Sequence, residues 1–188
     1  MTQTHVILPI IPVRVNNDRQ IYYALMDSGS TNSFASEALV SKLKLNPSQT
    51  NYEINTISSS SKIDKSVSFD LSSSCGEDKI RLHNVLVVKS IPARFPDVKI
   101  NLADYPYLSD LNIAPVSSDV TVDLLIGMDN ALLLQSHEIR SNPNCANDVY
   151  AMKTYFGWSI CGPVQCKANT GHVTSLFVQT SKTEMKII

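Results

Sequence analysis

The residues that decide the fold are Ala24-Leu25-Met26-Asp27-Ser28-Gly29-Ser30-Thr31. The apolar run Tyr22 to Met26 predicts a β-strand that leads directly into Asp27, and Gly29 allows the backbone to turn tightly behind it. We therefore expect a carboxylate that is held at the end of a buried strand. The tripeptide Asp-Ser-Gly is also common in ordinary turns, and it resembles a phosphorylation-dependent degradation signal, so taken alone it leaves both alternatives open.

Apolar and β-branched runs on both sides of this stretch predict further short elements. Val6 to Val15 and Ile21 to Met26 are separated by a turn-like Asn-Asn-Asp and predict a hairpin. The spacing of apolar residues from Phe34 to Leu45 predicts a short amphipathic helix that ends near Pro47. Alternating residues from Tyr52 to Leu71, interrupted by four serines, predict a second hairpin with a polar tip.

The rest of the chain also has the pattern of a β-protein and contains no internal repeat. Four prolines between residues 89 and 119 predict a long excursion with one helical turn near Tyr107 to Leu111. Later elements are predicted as strands at Ile80 to Val88, Val120 to Ile126, Glu138 to Arg140 and Val149 to Ile160, a short helix at Asn130 to Gln135, and a tail over the last twenty or so residues.

Length and charge exclude several classes of protein. A chain of 188 residues is long enough for one domain with a core, or at most a domain with an appendage. Its 16 basic against 17 acidic residues provide no field that would attract nucleic acid or an anionic membrane. Its longest apolar stretches are too short to cross a bilayer, for which about 20 residues are needed. The first residues lack the features of a secretory signal, and the four cysteines are too few for a disulfide scaffold, so we expect a cytoplasmic protein.

A second motif, Val122-Asp123-Leu124-Leu125-Ile126-Gly127-Met128-Asp129, lies about 100 residues after the first. An Asp-Ser-Gly turn after one apolar strand, with an apolar-apolar-Gly run far downstream, resembles the retropepsin-type aspartic proteases. The segment Thr154-Tyr155-Phe156-Gly157-Trp158-Ser159-Ile160-Cys161-Gly162-Pro163 is similar to a Thr-x-x-Gly-Trp-x-x-x-Gly-Pro signature of BEL/Pao-type retrotransposon polyproteins. Together these similarities extend from Pro9 to about Pro163.

The resemblance implies an all-β fold with short helices, a retropepsin-like closed β-barrel that contributes one lobe per chain. The protease domain would be residues 1–165, with a flap at about 54–67, an insertion at about 89–119, and a tail at 166–188. Asp27 would be the catalytic carboxylate, Ser28 the hydroxyl that braces two catalytic turns against each other, and Gly29 the residue that leaves room for the substrate backbone. The predicted substrate-binding residues are Leu25, Ser30, Ile54, Ile57, Ser58, Ser59, Ile126 and Gly127.

The sequence also departs from the retroviral pattern. Retroviral relatives commonly carry Arg directly after the downstream Gly and an acidic residue two positions after the Gly of the catalytic turn, whereas Met128 and Thr31 occupy those places here. Both partners of that ion pair are missing together, so other packing should replace it. Asp129 has no Ser/Thr-Gly turn after it, which predicts a structural or helix N-terminal acid instead of a second catalytic group.

The implied chemistry needs two carboxylates that share a proton, and the sequence supplies one Asp-Ser-Gly turn. The second carboxylate should therefore be Asp27 of another subunit, which predicts a homodimeric endopeptidase that cleaves extended polypeptide, in the family setting the polyprotein of its own element. No metal or organic cofactor, nucleic acid or membrane partner is implied, and the location would be the cytoplasm or retroelement particles within it. The alternative is a catalytically silent dimerisation or peptide-binding module domesticated from a retroelement.

Overall fold

The computed structural model describes residues 3–56, 60–76, 79–93, 95, 100–114, 120–166 and 178–182. These residues form mostly β-structure with short helices, as predicted. The strands are β1 (Gln3–Ile7), β2 (Ile10–Val15), β3 (Tyr22–Met26), β4 (Phe34–Ser36), β5 (Ser48–Thr56), β6 (Ser60–Ser73), β7 (Ile80–Val88), β8 (Leu124–Ile126), β9 (Glu138–Arg140), β10 (Tyr150–Thr154), β11 (Gly157–Cys166) and β12 (Val178–Lys182). The helices are α1 (Glu37–Lys42) and α2 (Ala131–Leu134), with 3-10 turns at Leu102–Asp104, Pro106–Leu108 and Met128–Asn130.

Two sheets organise these strands. One has the order β1-β11-β10-β9, and the other has the order β12-β5-β6-β2-β3-β8-β4-β7. Pairing is antiparallel except between β3 and β8 and between β4 and β7. Because β6 pairs with both β2 and β7, the strands β2, β3, β8, β4, β7 and β6 form a closed circuit of hydrogen-bonded neighbours. The description of this circuit as a closed barrel stays a prediction.

β3 lies between β2 and β8, and both of its faces are buried. Tyr22, Ala24 and Met26 point into one apolar cluster and Leu25 points into a second one, as the two-residue period of a strand requires. β8 is divided in the same way between the two clusters. This double burial explains why both strands read as continuous apolar runs in the sequence.

The first predicted hairpin is confirmed for β2 and β3, where Ile10 pairs with Leu25. Its first strand, however, does not begin at Val6. The N–H of Ile10 donates to the carbonyl oxygen of Leu8 at 2.8 Å, a three-residue turn around Pro9, which has no N–H to give to a ladder. The break sends β1 into the other sheet, where it pairs with β11.

The predicted helix from Phe34 to Leu45 is shorter than expected. Phe34 belongs to β4, and α1 begins only after Ser36, whose Oγ accepts a hydrogen bond from the N–H of Leu39 at 3.1 Å. The helix ends before Pro47, because the N–H of Leu45 donates to the carbonyl of Val40 and Lys44 has a φ of 50°. This is a Schellman-type end, formed here by a lysine in the left-handed region.

The second predicted hairpin is confirmed by the pairing of β5 with β6, which brings Ile54 opposite Ser61 and Tyr52 opposite Ile63. The predicted tip residues Ile57, Ser58 and Ser59 lie outside the described residues. On its other edge β5 pairs with β12, with Ile54 opposite Thr180, so part of the segment predicted as a tail extends this sheet. The division between a domain at 1–165 and a tail at 166–188 stays a prediction.

Three later predictions need correction. The helical turn expected near Tyr107 to Leu111 is observed as Leu102–Asp104 and Pro106–Leu108, and the predicted strand from Val120 is regular only over Leu124–Ile126. The single strand expected over Val149 to Ile160 is a hairpin of β10 and β11. Its turn is formed by Thr154, whose Oγ1 accepts from the N–H of Phe156 at 3.2 Å and donates to the carbonyl of Gly157 at 2.8 Å.

Candidate active site

Asp27 follows the last residue of β3, and hydrogen bonds to the segments on either side fix the backbone here. Its N–H donates to the carbonyl oxygen of Ile126 at 3.0 Å, and the N–H of Met26 donates to the carbonyl of Pro9 at 2.9 Å. The N–H of Ser30 returns to the carbonyl of Asp27 at 3.2 Å and closes a tight turn. The carboxylate is therefore positioned by the sheet, as the sequence predicted.

The two oxygens of the Asp27 carboxyl group have different surroundings. Oδ1 accepts a hydrogen bond from the N–H of Gly29 at 2.8 Å. Oδ2 is buried and has no hydrogen-bond partner among the described residues. Burial raises the pKa of Asp27 above its ordinary value, and the Gly29 N–H opposes part of that rise. The site thus favours a carboxyl group that keeps its proton more readily than an exposed aspartate does.

The residues after Asp27 differ in exposure. Ser28 and Gly29 are exposed, so they lie on the surface of the single chain. A β-carbon on Gly29 would lie 3.2 Å from Oδ1 of Asp27, tighter than an ordinary contact. Ser30 is fully buried, and its Oγ donates to the carbonyl of Asn32 at 2.8 Å, which shapes the turn from within.

The strand-and-turn motif at Leu124 to Gly127 lies directly beneath this turn. Gly127 has an extended φ of −102°, so conformation does not require glycine here. Space does, because a β-carbon on Gly127 would lie 2.3 Å from the carbonyl oxygen of Asn32. The downstream motif therefore supports the Asp-Ser-Gly turn by close backbone contact, and its place under Asp27 agrees with the resemblance.

The predicted substrate-binding residues are only partly brought together. Leu25 and Ile54 are buried in the same apolar cluster, whereas Ile126 is buried in the other one, on the opposite side of the sheet. Ile57, Ser58 and Ser59 lie outside the described residues. Because Leu25, Ser30 and Ile126 are buried in the single chain, contact of their side chains with substrate stays a prediction.

Sequence reasoning identified Asp129 as a structural acid, and the structure confirms this. Its carboxylate accepts two hydrogen bonds from Ser33, one from the backbone N–H at 3.0 Å and one from Oγ at 2.7 Å. Ser33 itself was missed. Its position among small polar residues after the Asp-Ser-Gly turn does not distinguish it from its neighbours, because its partner is 96 residues away.

Three residues of the Thr-x-x-Gly-Trp-x-x-x-Gly-Pro segment, namely Thr154, Gly157 and Gly162, shape the backbone. Thr154 and Gly157 pair at the tip of the β10–β11 hairpin, where Gly157 has a φ of 120°. Gly162 has a φ of 111°, and a β-carbon there would lie 3.1 Å from the carbonyl oxygen of Asp148. Both glycines occupy conformations that other residues rarely adopt.

No group of three or more His, Cys, Asp or Glu side chains within the described residues is arranged to hold a metal ion. A search of the same part of the chain for a helix of the length and apolar character that a membrane span needs found none.

A buried strand leads a desolvated aspartate into an Asp-Ser-Gly turn here, beside a second strand that is followed by glycine, an arrangement consistent with an aspartic protease. Comparison with protein families agrees, since the aspartyl protease family model matches residues 11–130. The chain belongs to the aspartyl protease family. Comparisons with curated proteins and with solved structures found no match.

Proposed function

We propose that the protein is a retropepsin-like aspartic endopeptidase that acts as a homodimer, with Asp27 of each subunit at a shared site. Membership of the aspartyl protease family supports proteolysis, and the proposal adds the dimer, the closed-barrel lobe and the retroelement setting of the BEL/Pao type. Its substrate would be an extended stretch of polypeptide, such as a junction in the polyprotein of the element.

The observation that carries this proposal is the half-satisfied carboxyl group of Asp27. One oxygen is bonded to Gly29, and the other is buried with no partner among the described residues. A buried oxygen without a partner costs free energy, whereas a second carboxyl group across a twofold axis would supply a hydrogen bond through a shared proton. Ser28 is exposed beside it and is available to brace a partner turn.

The proposed chemistry follows from two carboxyl groups that carry one proton. The ionised Asp27 takes a proton from a water molecule, which attacks the carbonyl carbon of the scissile peptide bond. The protonated Asp27 of the other subunit donates a hydrogen bond to the developing oxyanion. The first Asp27 then passes the proton that it took from water to the leaving nitrogen as the C–N bond breaks, which returns both carboxyl groups to their starting states. Because one carboxyl must be protonated and the other ionised, activity should be greatest at acidic to mildly acidic pH.

The substrate would bind as an added strand. The proposed flap, at about 54–67, would be part of the β5–β6 hairpin. Ile54 on β5 packs in the same apolar cluster as Leu25, two residues before Asp27, which supports a flap over the site. An extended peptide between this hairpin and the catalytic turn would gain main-chain hydrogen bonds, with alternate side chains in apolar pockets.

Asp27→Asn tests the enzymatic assignment. The substitution keeps the size of the side chain but removes the proton chemistry, so cleavage of a mixed peptide library should fall to background while the far-UV circular dichroism spectrum is unchanged. The exposed Asp104→Asn variant, in the 3-10 turn Leu102–Asp104, is the control and should cleave like the wild type. Wild-type rates in the Asp27→Asn variant would rule out the mechanism, and an inactive wild type that still dimerises and binds peptide would favour the silent module.

A further inference from the structure

The segment that follows the catalytic turn is hydrogen-bonded to the segment that follows β8. The N–H of Met128 donates to the carbonyl of Ser30 at 2.8 Å, and the N–H of Asp129 donates to the carbonyl of Thr31 at 3.2 Å. Together with the bond from Asp27 N–H to Ile126, these contacts fix both ends of the turn. Only a few residues between the two anchors are left to move.

Ser33 ends this connection, and its hydrogen-bonding capacity is fully used. The residue is completely buried. Its Oγ donates to Oδ1 of Asp129 at 2.7 Å and accepts from the N–H of Gly127 and from Nδ2 of Asn130, each at 3.0 Å. Its own N–H donates to Oδ2 of Asp129 at 3.0 Å. A serine hydroxyl has one donor and two acceptor sites, so no further partner can be accommodated.

These contacts lie beside two positions, 31 and 128, that carry no charged side chain. Met128 and Thr31, at the two places where retroviral relatives commonly carry an ion pair, are both uncharged. Asp129 is adjacent to Met128, and its carboxylate accepts hydrogen bonds from both the N–H and the Oγ of Ser33. Hydrogen bonds to a carboxylate are about twice as strong as bonds between neutral groups.

We propose that Asp129 and Ser33 are positioning residues that hold the Asp27 turn in register, doing by charge-assisted hydrogen bonds what an ion pair does in retroviral relatives. The inference rests on the proposed function, because it assigns a role in that same reaction. Neither residue touches the reacting atoms. They act by keeping the carboxyl group of Asp27 in the geometry that the partner turn requires, and a small displacement there reduces the rate.

An asparagine at position 129 cannot replace the aspartate. The two donors of Ser33 point at different oxygens, so the NH₂ group of an amide would face either an N–H or an O–H donor. The hydroxyl cannot reverse to accept from that NH₂ group, because its acceptor sites already receive Gly127 and Asn130. Asp129→Asn therefore loses at least one bond and opposes two donors.

Asp123 provides a matched control in the same strand-and-turn motif. Its Oδ1 accepts from Oγ of Ser36 at 3.2 Å, so it too is a carboxylate that bonds to a serine of the facing segment. It lies at the other end of β8, away from the catalytic turn. A single bond from a hydroxyl to Oδ1 can be kept by an asparagine oxygen, so Asp123→Asn should preserve this contact.

The test compares Asp129→Asn, Ser33→Ala and Asp123→Asn in the full-length chain, at concentrations where sedimentation shows a dimer. For the first two variants kcat should fall about 10- to 100-fold with KM changed less than about twofold. The affinity for a statine-type transition-state mimic should fall with kcat/KM. The kcat of the double variant should be no lower than that of the less active single variant, because the two residues act as one unit. Asp123→Asn should retain wild-type kcat.

Equal kcat values for Asp129→Asn and Asp123→Asn would overturn the positioning role. So would an Asp129→Asn variant in which KM rises while kcat stays at the wild-type value. If Asp129→Asn does not fold, Ser33→Ala decides the question by the same measures. An inactive wild type would reject the proposed function. The set of hydrogen bonds between Ser33 and Asp129, which we call the clamp, would then still be testable by amide exchange. The Gly29 amide, which bonds to Asp27, should exchange faster in Asp129→Asn than in Asp123→Asn, and equal exchange rates would reject the clamp itself.

Discussion

The carbonyl group of Asn32 lies against the α-carbon of Gly127, so close that a β-carbon at position 127 would be 2.3 Å from the oxygen. Residues 32 and 127 are far apart in the chain, and this contact joins the loop after Asp27 to the end of β8. The contact involves backbone on one side, which cannot move aside as a flexible side chain can. Glycine at position 127 is therefore a requirement of space.

Gly127→Ala should destabilise the protein by about 3 kcal/mol, because the added methyl group must displace the backbone of the loop after Asp27. Gly76→Ala is the control. Gly76 has a φ of 83° and only the end of Arg14 near its would-be β-carbon, at 3.4 Å, so its cost of about 1–2 kcal/mol is conformational. Urea unfolding measures both. The steric account would be contradicted if the free energy of unfolding fell no more in Gly127→Ala than in Gly76→Ala.

Asp27→Asn should make the protein more stable at neutral pH. Burial raises the folded-state pKa of Asp27 above its ordinary value of 3.8. A raised folded-state pKa contributes stability that is present at low pH and is lost as the pH rises through that pKa, because the ionised form is disfavoured in the folded state. The neutral asparagine avoids this loss.

Thermal unfolding at pH 7 and at about pH 3 checks the sign. The melting temperature of Asp27→Asn should exceed that of the wild type at pH 7, and the difference should shrink toward zero in acid, where Asp27 is protonated. The exposed Asp64→Asn variant corrects for the change in net charge. A difference that grows on acidification would show that the Asp27 carboxylate is stabilised, not penalised, by folding.

Catalysis should require a homodimer, because each chain supplies one Asp-Ser-Gly turn and the mechanism uses two carboxyl groups. Specific activity should fall on dilution below the dimer dissociation constant. Excess Asp27→Asn chains should inhibit the wild type by forming heterodimers with one carboxylate. Light scattering and activity assays on the same dilution series provide the measurement, and a monomer with full specific activity would refute the requirement.

The segment predicted as an insertion should be held to the core by Tyr107, whose hydroxyl donates to the carbonyl of Val149 at 2.6 Å. Tyr107→Phe should lower stability by about 1 kcal/mol, because it leaves a buried carbonyl without its partner. Tyr105→Phe is the control, since the Tyr105 ring packs edge-on against the Tyr107 ring at 6.1 Å and its hydroxyl has no hydrogen bond within the described part of the chain. Equal effects of the two variants on urea unfolding would show that the bond to Val149 does not hold the insertion.

Local sequence determined the parts of this protein that depend on neighbouring residues. The apolar run that leads into Asp27, the β2–β3 and β5–β6 hairpins and the glycines at turns are all readable from composition and alternation, because strands and turns impose their periods on residues next to one another. The predicted helix began at Phe34, whereas the observed helix begins at Glu37. A spacing of apolar residues does not reveal that Ser36 caps the helix or that Phe34 pairs in a strand.

The tertiary structure alone decided how these parts support the active site. The pairing of β3 with β8, the contact of Gly127 with Asn32 and the four bonds of Ser33 all join residues more than ninety positions apart. The sequence marked Asp129 as structural but gave no partner for it, because a hydrogen bond leaves no periodic pattern between distant segments. The same physical reason applies to Asp27. Its position at a strand end was predictable, but the burial that raises its pKa, and that leaves one oxygen without a partner in the described part of the chain, arises only from tertiary packing.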